Sequence, residues 1–358
     1  MRLARLMSVL AIPVVLIVGC SSSDGTIAAT GARSATASPS AEPSPGPSPT
    51  STQQPTGRPT PKPTKKRASA GTDPLTGGRL VNGPAIAAKI DNTGSGWPQY
   101  GVGEADIVYV EQVEGGLTRL LAVFHSKLPT EVGPIRSVRT TDAELLPAFG
   151  RPALAFSGGA GGPVAALAAT PVVDASGEGS AYWRSDAARE PFNLHVDLQA
   201  ISRAVHGLSQ PRSIGFTFAA SDPRVAAGPA ATSVSVVFEA GSADFAFADG
   251  HYQVLRDGEA VSDAKGTPMV ADNVLVQQVQ SEPDGTVDSV GSPSYLSHTV
   301  GSGTFTLYRD GHAIPGTWSR TAADRPTEYV DAAGKPVPFK PGHTWVALAT
   351  PSTLVSAT

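Results

Sequence analysis

The chain holds one cysteine, Cys20, so no disulfide can form within it. Aromatic residues make up only 6% and charged residues 16% of the sequence, and the charge is unevenly placed. Residues 73–358 hold 19 Lys or Arg against 29 Asp or Glu, a net of −10, which excludes general nucleic-acid binding. Seven histidines supply no HExxH and no other metal-ligand spacing. A P-loop ending in Gly-Lys-Ser/Thr, a GxGxxG fingerprint and a GxSxG elbow are all missing. No metal and no cofactor is predicted. The apolar run Leu6 to Val18 is shorter than the roughly 18–20 residues of a membrane span.

What that run does have is the layout of an export signal, with Arg2 and Arg5 before it and Gly19-Cys20 after it. The pattern resembles a bacterial lipoprotein box, in which the cysteine becomes the diacylated first residue of the mature protein. Residues 1–20 are therefore read as a lipoprotein signal peptide, with Cys20 carrying palmitate-type lipid. More than one acyl chain, at about 0.8 kcal/mol per buried methylene, holds a protein on a membrane. The predicted location is the outer face of a bacterial plasma membrane. Residues 21–72 are dominated by Ser, Pro, Thr and Ala and have almost nothing to bury. They are expected to be a disordered tether, reaching roughly 150 Å at full extension.

The remainder is expected to fold as two domains. Residues 73–222 alternate strand and helix patterns, predicting an α/β or α+β domain with a mixed sheet. Residues 231–354 carry short strand patterns with Asp249-Gly250, Asp257-Gly258, Asp284-Gly285 and Asp310-Gly311 at the turns, predicting a smaller, mostly antiparallel β domain. The stretch Ala105–Phe149 organises the first domain. It places two apolar runs, Ile107 to Val110 and Leu117 to His125, around Gly115-Gly116, which predicts a hairpin with Glu111 and Glu114 near its tip.

Charge gathers around this hairpin. Arg119, Arg136 and Arg139 stand out in an acidic domain, and a planar guanidinium grips phosphate or carboxylate at two points. Asp91-Asn92, at the end of a predicted strand and followed by Gly94 and Gly96, reads either as a turn or as a presented pair. Thr141-Asp142-Ala143-Glu144 matches a capping box, so Asp142 and Glu144 read as cap residues at least as readily as catalytic ones. Gly158 to Gly162 before Pro163 forms a strand, glycine-loop and helix series that reads as a structural turn ahead of an anion cradle. Arg184 and Asn193 add a guanidinium and an amide further on, and Asp197 is expected to cap a helix closing at Gly207.

Several of these segments, in order, resemble one family. They are Ala88-Lys89-Ile90-Asp91-Asn92, Pro98 to Gly101, Ala105 to Tyr109, Val113 to Arg119 and Val132 to Arg139, followed by Asn273 to Gln277, Gly316-Thr317-Trp318 and Gly342 to Trp345. The chain is similar over Asp73 to Pro351 to the YerB-like lipoproteins, the domain-of-unknown-function family 3048. The resemblance implies an N-terminal and a smaller C-terminal domain and brings no established activity. Two positions depart from the family pattern. Val110 stands where an acidic residue commonly precedes Glu111, and Phe192-Asn193 replaces the usual His-Asn. A fainter likeness, to the LytR-Cps2A-Psr cell-wall phosphotransferases, serves as analogy only.

The expectation is a membrane-anchored envelope lipoprotein that binds an anionic or glycan ligand or a protein partner. Its candidate ligand-binding residues are Asp91, Asn92, Glu111, Glu114, Arg119, Arg136, Arg139, Arg184 and Asn193. The alternative is an envelope enzyme, phosphotransferase-like or glycan-cleaving, that uses the Arg/Glu cluster. Geometry separates the two, because catalysis requires these arginines and a carboxylate to converge on one open pocket.

Overall fold

Small and branched apolar residues from Ala85 onward build the first strand. In the computed structural model, which describes residues 71–288 and 291–358, it is β1 (Ile86–Asp91). The export signal, Cys20 and the tether through residue 70 lie outside the described residues. Gly71 and Thr72, read above as tether, already pair with Leu80 and Arg79.

The predicted hairpin is present as β2 (Ile107–Gln112) and β3 (Thr118–Phe124), antiparallel to each other. Gly115 and Gly116 turn the chain between them at φ of 65° and 71°, a region that glycine enters without steric cost. β1 lies antiparallel along the other edge of β3, and the register sets Asp91 opposite Arg119 and Arg119 opposite Glu111. Opposed residues share a face, as do residues two apart on a strand. Lys89, Asp91, Glu111 and Arg119 therefore all project from the same side of the sheet.

Beyond β1 the sheet continues in parallel with β4 (Ala153–Ala155) and β5 (Val173–Asp174), joined through helix α2 (Gly161–Ala168). Beyond β2 it continues with Thr344–Ala349, Asn273–Gln278, Gly301–Arg309, His312–Arg320 and Glu328–Val330. The first of these pairs in parallel with β2, and Gly301–Arg309 and His312–Arg320 form a long antiparallel hairpin. The result is a mixed ten-stranded sheet that draws strands from both sides of the composition shift before Ala231. Strands buried on both faces carry near-continuous apolar runs, as β1 to β3 do.

One face, with Ile90, Val110 and Leu120, packs on a six-stranded sheet that contributes Val234, Phe245 and Tyr252. The other, with Tyr109, Leu121 and Val346, packs on Phe149, Leu167 and Phe339. Each such side chain taken fully out of water contributes about 1.5–3 kcal/mol. Among the described residues no helix is long and apolar enough to cross a membrane.

Asp249, Asp257 and Asp310 turn their hairpins at φ of 53°, 52° and 52°, each followed by a positive-φ glycine, as expected of tight two-residue turns. Asp284-Gly285 does not. It falls inside the strand Ser281–Val287, where the pairing register shifts, so Gly285 serves an irregularity rather than a reversal. The helix α3 (Leu198–Ala204) begins as expected, with Asp197 Oδ1 accepting from Ala200 N at 2.9 Å, and ends three residues before Gly207.

Candidate functional site

The apolar core of the hairpin gives out at the carboxyl ends of β1 and β2, where Asp91 and Glu111 stand on either side of Arg119. Over this end runs the segment Val132–Arg139, extended but tied by isolated bonds rather than by a ladder. Asp91 N donates to Pro134 O at 2.9 Å, and Arg136 N to Lys89 O at 2.8 Å. On its other side Ser157 N donates to Arg136 O at 2.9 Å, and Val138 N to Gly158 O at 3.1 Å. The segment thus bridges β1 and the glycine loop after β4. At Arg139 it turns into helix α1 (Thr140–Leu145), which brings Arg136 and Arg139 onto one cavity although they are three apart in an extended run.

That cavity measures about 360 Å³ and is lined by Glu114, Leu117, Arg119, Arg136, Arg139 and, from the loop entering α2, Gly159. Glu114 is held by Arg139, whose Nε and Nη2 donate to Oε2 at 3.0 and 2.5 Å. Arg139 Nη1 also donates to the carbonyls of Ser137 and Val138 at 3.0 and 3.1 Å. Arg119 and Arg136 share a single counter-charge, Asp91 Oδ2, at 3.6 and 3.1 Å. The 3.1 Å approach has opposite charges without the directionality of a hydrogen bond. Arg136 Nη1, Asp91 Oδ2 and Arg119 Nε are all buried with no hydrogen-bond partner among the described residues. A buried N–H in that state costs about 1–3 kcal/mol. Burial pushes the Arg119 guanidinium down to about 10, with Asp91 opposing the shift. The ring of Phe192 lies 5.1 Å from the Arg136 guanidinium and covers one of its faces.

Asp91 is fully buried, and its Oδ1 accepts from Thr93 N and Thr93 Oγ1, both at 2.6 Å. It is turn residue and site residue at once. Gly96 is required here, since a Cβ on it would lie 2.6 Å from the Asp91 side chain.

Asn92 points the other way. On the opposite face it donates to Thr118 Oγ1 at 2.9 Å and accepts from Gln99 Nε2 at 3.0 Å. There it lines a second cavity, of about 260 Å³, with Trp97, Thr118, Asp244, Arg256 and Trp345. Arg184 and Asn193 are also apart from the arginine cavity. Arg184 Nη1 donates to Asn193 Oδ1 at 2.8 Å and Arg184 Nε contacts Glu190 at 3.0 Å, while Asn193 Nδ2 donates to Ser185 O. Together they brace the loop between two short strands.

Glu111 does not reach the cavity. It is buried against Lys89, which is itself 0% exposed and was not among the expected site residues. On its other side Lys89 Nζ donates to Asp142 Oδ1 at 2.7 Å. Burial lowers the Lys89 ammonium to about 8, with Asp142 opposing and Arg139 and Arg119 adding to the shift. The period-two pattern could have exposed this lysine, because it shares a face with Asp91 two positions on.

The expected capping box needs correcting. The helix starts at Thr140, and its reciprocal cap bond is made by Asp142 Oδ2, which accepts from Arg139 N at 2.7 Å. Thr141 and Glu144 hold a different part of the fold. Thr141 Oγ1 accepts from Ser297 N, and Glu144 Oε1 accepts from Thr299 N and Val300 N.

Residues 71–210 match the model described as Protein of unknown function (DUF3048) N-terminal domain, and residues 234–346 match the corresponding C-terminal domain. The chain is 27% identical over 298 residues to the Bacillus subtilis (strain 168) protein named "Putative lipoprotein YerB", covering 76% of this chain and 84% of that protein. A crystal structure of the YerB protein from Bacillus subtilis superposes with a TM-score of 0.66 at 23% identity, covering 80% of this chain and 99% of that one. This last likeness bears on the fold.

Proposed function

Starting from the membership of this chain in the DUF3048 family, whose N-terminal and C-terminal domains it both contains, we propose that it is an extracytoplasmic lipoprotein, tethered through Cys20, that binds an anionic group of the cell envelope. The name of the Bacillus relative supports the anchor. The cavity supports the ligand. The observation that carries the reading is the convergence of Arg119, Arg136 and Arg139 on one opening while Arg119 Nε and Arg136 Nη1 keep unused donors. A phosphate or carboxylate in the opening would supply a second counter-charge and relieve Asp91 of serving two guanidiniums alone. The glycine loop adds the amino end of α2 on the same side, where anions are favoured.

The enzyme alternative needs a carboxylate free to take or give a proton. Two carboxylates line the cavity: Glu114, which Arg139 engages through two nitrogens, and Asp288, whose Oδ1 accepts from Ser292 N at 2.8 Å. Binding is therefore the reading preferred.

The test is calorimetric titration of the full chain in detergent with inorganic phosphate and, separately, glucuronate. Arg136→Gln should weaken the bound anion roughly ten- to hundred-fold, the value of ~1.5–3 kcal/mol for a hydrogen bond to a charged group. Equal affinity in wild type and variant rejects the site. For the anchor, Cys20→Ser should move the protein from the membrane to the soluble fraction, and retention in the membrane contradicts lipidation.

A further inference from the structure

Lys89, Glu111 and Asp142 form a cluster that the anion site does not use. None reaches the cavity, and their exposures are 0%, 2% and 0%. Lys89 Nζ is 2.7 Å from Asp142 Oδ1 and in direct contact with Glu111 Oε1, so the amine is held between two carboxyl groups with water excluded. Taken as ions the three sum to one net negative charge beside the Arg119 and Arg139 guanidiniums, and burying all three as ions is expensive. Shifting one proton from the ammonium to a carboxylate removes a pair of charges and leaves a neutral amine against a neutral acid. Those are the reactants of amide formation.

We propose that Lys89 and Asp142 become joined by an intramolecular amide bond, with Glu111 as the proton relay. The new bond runs from Lys89 Nζ to the side-chain carboxyl carbon of Asp142, and the bond from that carbon to Oδ1 breaks. Glu111 takes the proton that the attacking amine sheds and returns it to the departing oxygen, which leaves as water. The sum is amine plus carboxylic acid giving amide plus water, with no oxidant, cofactor or activated donor.

Three features favour the step. Reactants fixed in contact react as if at effective concentrations up to about 10⁵–10⁸ M. A desolvated lysine is nucleophilic because its neutral form is populated, in line with the lowered Lys89 ammonium. Finally, Asp142 can lose Oδ1 at no cost to its helix, since Oδ2 is the atom that accepts from Arg139 N. It would remain as the amide carbonyl oxygen.

The bond would fasten β1 to α1 across 53 residues of chain, a staple in a protein whose one cysteine cannot make one. It is independent of the anion reading, because the outcome is a mass and not an affinity.

The experiment is mass spectrometry of tryptic peptides from the full chain. Expected is a branched pair, residues 80–119 joined to the peptide beginning at Thr140, lighter than its parts by one water and uncut after Lys89. Glu111→Gln should restore the missing water and the cut. Unlinked peptides from folded wild-type protein, or a link from Lys89 to Glu111 in place of Asp142, overturn the proposal.

Discussion

Two sets of arginines sit in this protein on opposite terms. Arg309 and Arg320 are 0% and 4% exposed and are bonded mainly by main-chain carbonyls. Arg320 donates to the carbonyls of Arg325, Glu144, Leu145 and Ala323 and to Thr299 Oγ1. Arg309 donates to those of Ala219, Ala220 and Pro338 and to Asp310. Arg119 and Arg136, by contrast, line a cavity, share one carboxylate and each keep one buried nitrogen without a hydrogen-bond partner. A guanidinium presents five N–H donors in a fixed fork. Where carbonyls fill the fork the residue is scaffold, and where the fork stays open there is something left for it to bind. The number of arginines in a cluster does not make that distinction, and the state of their donors does.

The comparison is broken most forcefully at Arg320. Arg320→Met should cost about 3–5 kcal/mol of unfolding free energy in urea, because several carbonyls lose their donor inside the fold. The folded fraction should bind anions as wild type does, and a loss below ~1 kcal/mol would erase the difference between the two sets. Arg136→Gln should behave in reverse, shifting stability by less than ~1 kcal/mol while weakening the anion. The smallest effect belongs to a third kind of arginine. Arg224 lies between Asp222 and Asp331 near the surface, bonding Asp222 Oδ2 at 2.7 Å and Asp331 Oδ2 at 2.7 Å. Its hydrogen bonds hold the Asp222 carboxyl below the ordinary value of 3.8. A depressed carboxyl stabilises the fold above its unfolded pKa, and that contribution disappears as pH falls through the folded one. Acid titration of Asp222→Asn should therefore show a slightly shallower loss of stability below pH 3.8 than wild type, and parallel curves would remove Arg224 from the comparison.

Much of this was readable from local pattern. Two apolar runs around a glycine pair became β2 and β3, three of the four Asp-Gly pairs became hairpin turns, and Arg119, Arg136, Arg139 and Glu114 came together. What failed to show has more than one cause. Lys89 in a six-residue apolar strand reads as a solvent-facing lysine until Glu111 and Asp142 arrive from other elements to bury it. Asn92 adjoins Asp91 in sequence, yet the alternation of a strand sends it to the opposite face. The Thr-x-x-Glu spacing at Thr141 matches a capping box, but both residues are taken by Ser297 to Val300, more than 150 positions away. Arg184 and Asn193 carry the right chemistry and satisfy each other. For Lys89, Thr141 and Glu144 a contact distant in sequence outbid a local signal, whereas Asn92 follows strand alternation and Arg184 and Asn193 pair across nine residues.

The place of Thr344–Ala349 between β2 and Asn273–Gln278 has a consequence in time. A chain that emerges or is threaded amino end first offers β2 one neighbour, β3, and keeps its other edge bare until residue 344 arrives. The central parallel pairing closes last, over the longest loop in the sheet, and such closure is slow. Until then the amino-terminal strands remain an unfinished sheet with one open edge.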